Sequence, residues 1–502
     1  GKRGRGRESA RAREKGRERK PPPAFATMLA SSPSAVGPSH SGPLLAPFAP
    51  SRPPDRCKAV LLSLGLQGIG ALYAWNAIIS PIPYYRLSFA GSPFHASFES
   101  LLSVTFTGVG LLALVIIQLV QHLYSLQTGI IVSLSLMLAV FLLLSLFTLW
   151  PLLQPYDDLH ADEMRDADNS FLITVICTAV ASTAQAGLTS SLFAYSSVFP
   201  PEYTQAVSSG MAVAGLAVSI ANLATAGDEV GDTPAADYRD TIVSAVASFG
   251  MAAFVFAACL VCFVVTDRSN FVRSTRESAD KHDETSGAQG HREGEMPTAD
   301  LVEQGCSSCA CLKPCIAKGS ANTTSNIIRS IAPFSFAIVF NFTVTISLFP
   351  AITGMISSVS DSTAWKILFA SVIFVAFNLG DLLGRTHPPS CLARGGVVVI
   401  FSLCRALLAP LFMLCHMPAG KSALPALLNT DAAPLLLVLF LGLTNGMVTS
   451  STLMHAPHAV QPALSRRAAS LMILSLNVGL VLGSLISFFF HWILCDCDPF
   501  VA

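Results

Sequence analysis

The chain has 502 residues, 52% of them hydrophobic and only 12% charged, with a mean hydropathy of +0.57. Soluble domains do not combine that length with that composition, so a polytopic membrane protein is expected. The 31 basic and 31 acidic side chains cancel, which removes any global field that would point to nucleic acid, and 13 cysteines lie mostly in apolar runs as small hydrophobes.

The segment 1–58 is basic and Pro-rich and reads as a disordered cytoplasmic extension. Its run Gly1–Lys20 is expected to be extraneous, with Met28 as the start, and the first span acts as an uncleaved signal. A membrane-crossing helix needs about 20 apolar residues. Eleven stretches qualify, near 59–80, 98–121, 126–149, 171–194, 205–225, 241–265, 331–355, 365–384, 394–416, 433–454 and 468–494. The fold class predicted is therefore all-α, with a six-helix bundle over 59–266, a disordered cytoplasmic linker over 267–330, a five-helix bundle over 331–494 and a short external tail over 495–502.

Positive charge is retained on the cytoplasmic side of a membrane. With the N-terminus inside, 26 of the 31 Lys and Arg fall on that side or within the ninth span, and the outer loops around Tyr156–Asn169 and Asp228–Asp240 are acidic. An odd number of spans then puts the C-terminus outside, and the plasma membrane is the expected location. The linker cysteines Cys306, Cys309, Cys311 and Cys315 lack the paired spacing of a strong zinc site and read as acylated or exposed thiols. His455 and His458, beside Pro457, mark a helix end rather than a ligand pair. The sequon at Asn322 lies in the linker and that at Asn341 inside a span, so neither is expected to carry glycan.

Polar residues inside apolar spans are where function concentrates, because lipid rejects them. The eighth span places Asn378, Asp381 and Arg385 at i, i+3 and i+7, one helix face, with Asp381 and Arg385 able to pair. That spacing fits a structural ion pair and a polar ligand site equally well. Trp75 and Asn76 close the first span, and Gln185 and Thr189 stand one turn apart in the fourth. Small residues in the fifth (Ser209, Gly210, Ala214, Gly215) and the eleventh (Gly479, Gly483) read as packing seams. Arg405, deep in the ninth span, is expected to pair with an internal acid or a helix C-terminus. No HExxH, phosphate loop or nucleophile and base pair is present, so no enzyme is expected.

Six segments carry a resemblance. They are DRCKAVLLSLGLQGIGALYAWN (Asp55–Asn76), FPPEYTQAVSSGMAVAGL (Phe199–Leu216), LFPAIT (Leu348–Thr353), FNLGDLLGR (Phe377–Arg385), LTNGMVTSS (Leu443–Ser451) and LNVGLVLGSLISFFF (Leu476–Phe490). In this order they resemble the equilibrative nucleoside transporters. The resemblance implies a major-facilitator-like bundle of six helices against five that carries nucleosides through a midplane cavity by alternating access. It needs no cofactor or metal, its partners are substrate and bilayer without nucleic acid, and it is read as a monomer. Carried over residue by residue, the substrate-binding set is Leu72, Trp75, Asn76, Ile79, Gln185, Thr189, Phe349, Phe374, Asn378, Asp381, Arg385 and Leu480, with Ile79, Pro350 and Phe374 as a thin outer gate. Aromatic and aliphatic side chains would sandwich the base, while Asp381 and Arg385 would hold ribose hydroxyls.

Departures from the family pattern occur at Ala74, Met211, Leu382 and His491, and at Thr189, where many members have Gln. Thr189 implies an altered or broader base preference that could admit free nucleobases. An equilibrative facilitator is favoured over a proton-coupled symporter using Asp381, because the Arg385 partner should keep the carboxylate ionised.

Overall fold

A computed structural model describes residues 55–90, 92–94, 98–153, 163–228, 238–278, 324–350, 352–417 and 427–495. Met28, Asn322, the tail beyond 495 and the four linker cysteines lie outside them. Among the described residues, eleven helices are long and apolar enough to cross a membrane. Labelled by span, they are α1 (Ala59–Ile79), α2 (Phe98–Val120), α3 (Leu126–Leu153), α4 (Glu163–Ser196), α5 (Pro201–Asp228), α6 (Tyr238–Asp267), α7 (Thr324–Leu348), α8 (Thr363–Thr386), α9 (Gly395–Cys404), α10 (Ala432–His455) and α11 (Ser465–Cys495). A 3-10 turn at Arg405–Leu407 and a helical piece at Leu408–Met413 complete the ninth span.

The boundaries correct the sequence reading in three places. α4 begins at Glu163 and α7 at Thr324, both several residues before the apolar run, because backbone hydrogen bonding continues into polar residues that hydropathy ignores. Residues 270–278, placed in the disordered linker, are helical. The ninth span is broken at Arg405, just before Pro410, which has no amide hydrogen to bond back into the helix.

Many leucines point outward toward the surrounding medium, among them Leu112, Leu119, Leu146 and Leu436, while serine and threonine hydroxyls are buried and bonded to carbonyls of their own helices, as Ser219 and Thr345 are. That inverted pattern is the one lipid selects. Asp55 holds the entry of α1: its carboxylate accepts from the amides of Val60 and Leu61 at 3.2 and 3.3 Å and from the Tyr203 hydroxyl of α5 at 3.1 Å.

The helices pair closely along two seams. α1 runs along α5 and α8 along α10, and α5 also packs on α8 across the two halves. In the α8/α10 seam a Cβ added at Gly442 would strike the Phe377 carbonyl, and one at Gly446 the backbone of Asp381 and Arg385. Backbone therefore rests on backbone, and no larger residue is compatible with that approach. The predicted seams of α5 and α11 are also present, with Gly210 against the Gly65 carbonyl and Gly479 against Val339. The described residues from 55 to 495 belong to one compact unit, in which the two bundles are packed together.

The loop after α7 is clamped to the start of α10. Asp431 accepts from the Ser358 hydroxyl at 2.7 Å, the Val359 amide at 2.9 Å and the Trp365 indole at 2.9 Å. Partial burial pushes this carboxyl up, but those three donors and the nearby His416 outweigh it and hold the group below its ordinary value.

Two predictions follow from this packing. Gly446→Val should abolish a cooperative melt or lower Tm by about 3 °C or more, as expected for about 3 kcal/mol or more of overpacking in a chain of this length, whereas Gly396→Ala, with open space around it, should leave Tm unchanged; fluorescence melts in detergent check both. For Asp431, a depressed folded-state pKa means stability that is present at neutral pH and is lost as the pH falls through that lowered value. The Tm advantage of the wild type over Asp431→Asn should thus hold at neutral pH and shrink below the ordinary value of 3.8.

Candidate substrate site between the two halves

The stripe read from the sequence is present on α8. Asp381 and Arg385 are only 5% and 6% exposed, and Arg385 Nε donates to Asp381 Oδ2 at 2.8 Å. An unpaired charge at this depth would cost several kcal/mol, so the pairing is what makes the burial possible. Arg385 also reaches across the halves, donating from Nη1 to the Ser208 hydroxyl at 3.1 Å and its carbonyl at 3.3 Å.

The other carboxylate oxygen leads into α10 and α7. Asn445 Nδ2 donates to Asp381 Oδ1 at 2.7 Å, and Asn341 Nδ2 donates to Asn445 Oδ1 at 2.8 Å. Asn341 Oδ1 in turn accepts from Arg405 Nη1. Arg405 spends its remaining donors on the Thr444 and Thr345 hydroxyls and the carbonyls of Asn341 and Leu441, at 2.9 to 3.0 Å. The expectation that Arg405 pairs with an internal acid or a helix C-terminus is corrected, since the carbonyls it bonds lie inside α7 and α10. Its contacts among the described residues are all neutral acceptors, and its link to Asp381 runs through two aligned amides. Such a relay stabilises both ends, because each amide dipole points its acceptor toward the cation and its donor toward the anion.

Beyond this network the stripe packs against the first half. The side chains of Asn378 and Leu72 converge on the empty face of Gly215: a Cβ there would collide with Asn378 Oδ1 and touch Leu72 Cδ2 at 3.9 Å. Gly215 is therefore a seam residue as expected, its missing side chain leaving the room that Asn378 Oδ1 takes. Asn378 gives one amide hydrogen to the Phe374 carbonyl at 2.9 Å, which turns its oxygen onto Gly215. Phe349 stacks on Phe377 with centroids 4.0 Å apart and tilts against Phe374 at 4.7 Å. In the other half, Trp75 packs on Phe106 at 4.8 Å, and the Ser182 hydroxyl of α4 donates to the Phe106 carbonyl at 2.5 Å.

Gln185, one turn from Ser182 on the same helix face, has a buried Oε1 with no partner, a state that invites a donor. Thr189 has spent its hydroxyl on the Gln185 carbonyl at 2.8 Å. Asn76 likewise donates to its own helix, at the Leu72 carbonyl, 3.2 Å away. Ile79 ends α1 half-buried, Pro350 is exposed and Leu480 is half-buried on α11. Asn445 and Ser208 were not singled out from the sequence and Asn341 only as a sequon inside a span, although the two asparagines are the same signal as Asn378, an amide deep within an apolar run.

The two halves are bonded to each other at one end. Successive spans alternate in direction, so the C-termini of α2, α4 and α8 share an end with the N-termini of α5 and α11 and with residues 268–278 that follow α6. There Gln118 donates to the Ser470 hydroxyl at 2.6 Å, which also bonds Ser190 at 2.5 Å. Gln205 donates to the carbonyls of Arg385 and Thr386 at 3.0 and 2.9 Å, and Ser465 to that of Ser197 at 3.2 Å.

A family model for nucleoside transporters matches residues 173–492. The chain is 26% identical over 455 residues to equilibrative nucleoside transporter 3 of Rattus norvegicus, spanning 86% of this chain and 89% of that one. It is 26% identical over 483 residues to equilibrative nucleoside transporter 1 of Homo sapiens, spanning 88% and 98%. Among solved structures, the major facilitator superfamily proton:xylose symporter XylE aligns with a TM-score of 0.51 at 12% identity, over 86% of this chain and 87% of that one; the likeness is one of fold.

The relay makes Asn445 a test of how the ion pair is held. Asn445→Leu strands a buried carboxylate oxygen and should cost about 1 to 3 kcal/mol. Combined with Asp381→Asn, the two changes should be non-additive by at least about 0.5 kcal/mol. Denaturation of the four proteins of the cycle in mixed micelles measures both.

Proposed function

The chain belongs to the nucleoside transporter family, and we propose that it carries purine and pyrimidine nucleosides across a membrane as an equilibrative facilitator working by alternating access. The observation that carries this reading is the set of chemically distinct groups between the halves. Asp381 and Arg385 sit at one edge, Asn378 and the half-buried Leu72 meet over Gly215, and the same two helices carry the aromatic rings of Phe374 and Trp75. A nucleoside offers the matching pieces, hydroxyls at one end and a flat ring with polar edges at the other.

Asp381 retains a free lone pair on each oxygen beyond the bonds from Arg385 and Asn445, so it can accept from the two ribose hydroxyls. Gln185, rather than Thr189, is the better reader of the base edge, because its oxygen is buried and unpartnered while the Thr189 hydroxyl is already engaged. Leu72, Trp75 and Leu480 supply apolar faces, Asn76 a polar edge, and Ile79, Pro350 and Phe374 the outer gate. The excess of Lys and Arg on the linker side assigns that side to the cytoplasm, so the end bonded through Gln118, Gln205 and Ser470 is the inner one and the described conformation is closed to the cytoplasm. The plasma membrane and a monomeric carrier remain the favoured setting.

The Asp381 carboxylate has its counter-charge four residues along its own helix, which supports facilitation over symport. Expressed in cells lacking nucleoside uptake, the chain should take up radiolabelled adenosine saturably, and Asp381→Ala should lower uptake at least tenfold at equal surface abundance. Gln185→Leu should change the competition order of inosine, uridine and hypoxanthine, and an external pH step from 7.5 to 5.5 should change uptake less than twofold. No uptake of any of these at normal surface abundance would overturn the cargo, and a several-fold pH response would overturn the facilitator.

A further inference from the structure

Asp431 stands at the head of α10 and does not cap it. An acidic residue in that position ordinarily accepts from the first amides of its own helix, yet the Asp431 side chain makes no such bond. Its three donors, the Ser358 hydroxyl, the Val359 amide and the Trp365 indole, belong instead to the connection from α7 into α8 and the first turn of α8. The carboxylate serves a neighbouring segment rather than the helix that carries it.

That segment is folded and buried. The Pro350 carbonyl accepts from the Gly354 amide at 2.8 Å and from the Thr353 hydroxyl at 3.2 Å, and Ile352, Thr353 and Ile356 are buried. The Ser357 amide donates to the His416 carbonyl at 3.2 Å. Cys415, next to His416, is 2% exposed and lies in one apolar cluster with Leu348, Phe349, Ile352 and Ile356. At its near end the segment starts from Phe349, which rests on Phe377 and Phe374 of α8; at its far end it is held by Asp431. The residues these bonds join all belong to the second half. Asn445, which holds the Asp381 carboxylate, follows Asp431 about four turns along the same helix, so one rigid element fixes both the outer segment and the ion pair.

We propose that Asp431 is a positioning residue for transport. By holding Ser358 and Val359 against the heads of α8 and α10, it sets where Phe349 and Pro350 stand and so preorganises the outward-facing site without touching substrate. This rests on the proposed function in taking Pro350 and Phe374 as part of the outer gate. A segment released from Asp431 must be ordered again at each binding event, and that ordering costs affinity. The rocking of the halves is a separate step, because the clamp's bonds stay inside one of them.

Two measurements test this. In the detergent-purified full chain at neutral pH, alkylation of Cys415 by N-ethylmaleimide is followed by peptide mass spectrometry. Cys259, buried on α6 against the Leu66 carbonyl of α1, is the internal reference. Asp431→Asn turns an amide N–H toward the former donors and should speed alkylation of Cys415 at least fivefold and that of Cys259 less than twofold. Asp361→Asn, which removes an exposed carboxylate from the same connection, should change both rates less than twofold. In cells, Asp431→Asn should raise the KM for external adenosine at least threefold, while the maximum rate per surface transporter changes less than twofold. Trp365→Phe deletes one donor and keeps a ring; it should shift KM the same way by less, and add under 1.5-fold when combined with Asp431→Asn. An unchanged Cys415 rate, or a Cys259 rate rising in step with it, would overturn the positioning role, as would a lower maximum rate at unchanged KM. If the wild-type chain took up no nucleoside, the proposed cargo would fall, and the Cys415 rate would still decide whether Asp431 holds the outer segment.

Discussion

The buried pair of Asp381 and Arg385 sets the terms for the second half of the molecule. Two charges at 5% and 6% exposure are tolerable only if every lone pair and N–H nearby finds a partner. Asn445 must come within hydrogen-bond reach of Asp381, which requires α8 and α10 to approach to backbone contact. The glycines at 380, 384, 442 and 446 make that approach possible. Asn445 then needs an oriented donor of its own, and Asn341 on α7 supplies it. Arg405 completes the relay, and the ninth span leaves regular α-helix at that residue. One polar requirement thus propagates through four helices.

The same arrangement separates what must stay rigid from what must move. Within the second half the network is charged or amide-linked and buried, so breaking it would cost several kcal/mol. Between the halves the bonds run to serine hydroxyls and backbone carbonyls, each contributing about 1 kcal/mol net. Arg385 is the exception, since it contributes to both sets by reaching Ser208 across the interface. A carrier that rocks one half against the other can exchange such bonds for water or for a set at the opposite end without disturbing the relay. The spacing of costs, and not any hinge motif, is what makes rigid-body exchange the low-energy motion.

Much of this was legible from residue patterns, and the remainder fails for definite reasons. Hydropathy found all eleven spans, because lipid imposes the same burden on each helix regardless of its neighbours. Helix ends were missed at Glu163 and Thr324, since polar helical turns beyond the apolar core leave no hydropathy signal. The stripe on α8 was visible because its members share one helix; Asn445 and Asn341 belong to the same network but to other helices, and spacing carries no information about partners over 60 residues away. Thr189 was weighed by residue type alone. Its hydroxyl bonds backward to Gln185, a local choice common to threonines inside helices, and that shifts the polar reading to Gln185.

The ion pair also bears on why a carrier of this design would run downhill without a coupling ion. A transporter returns empty after releasing its cargo, and an unpaired carboxylate exposed in the vacated site would resist closure unless a proton or cation accompanied it. With Arg385 four residues along the same helix and Asn445 on the neighbouring one, the Asp381 charge is compensated whether or not a substrate is present. The compensation is internal to one half, so it travels with that half through the cycle. Binding a neutral nucleoside adds hydrogen bonds to this pair without changing its charge, and releasing it leaves no debt in electrostatic energy. The loaded and empty forms can then interconvert by the same rocking motion, and the concentration difference of the substrate is the only force left to set the direction.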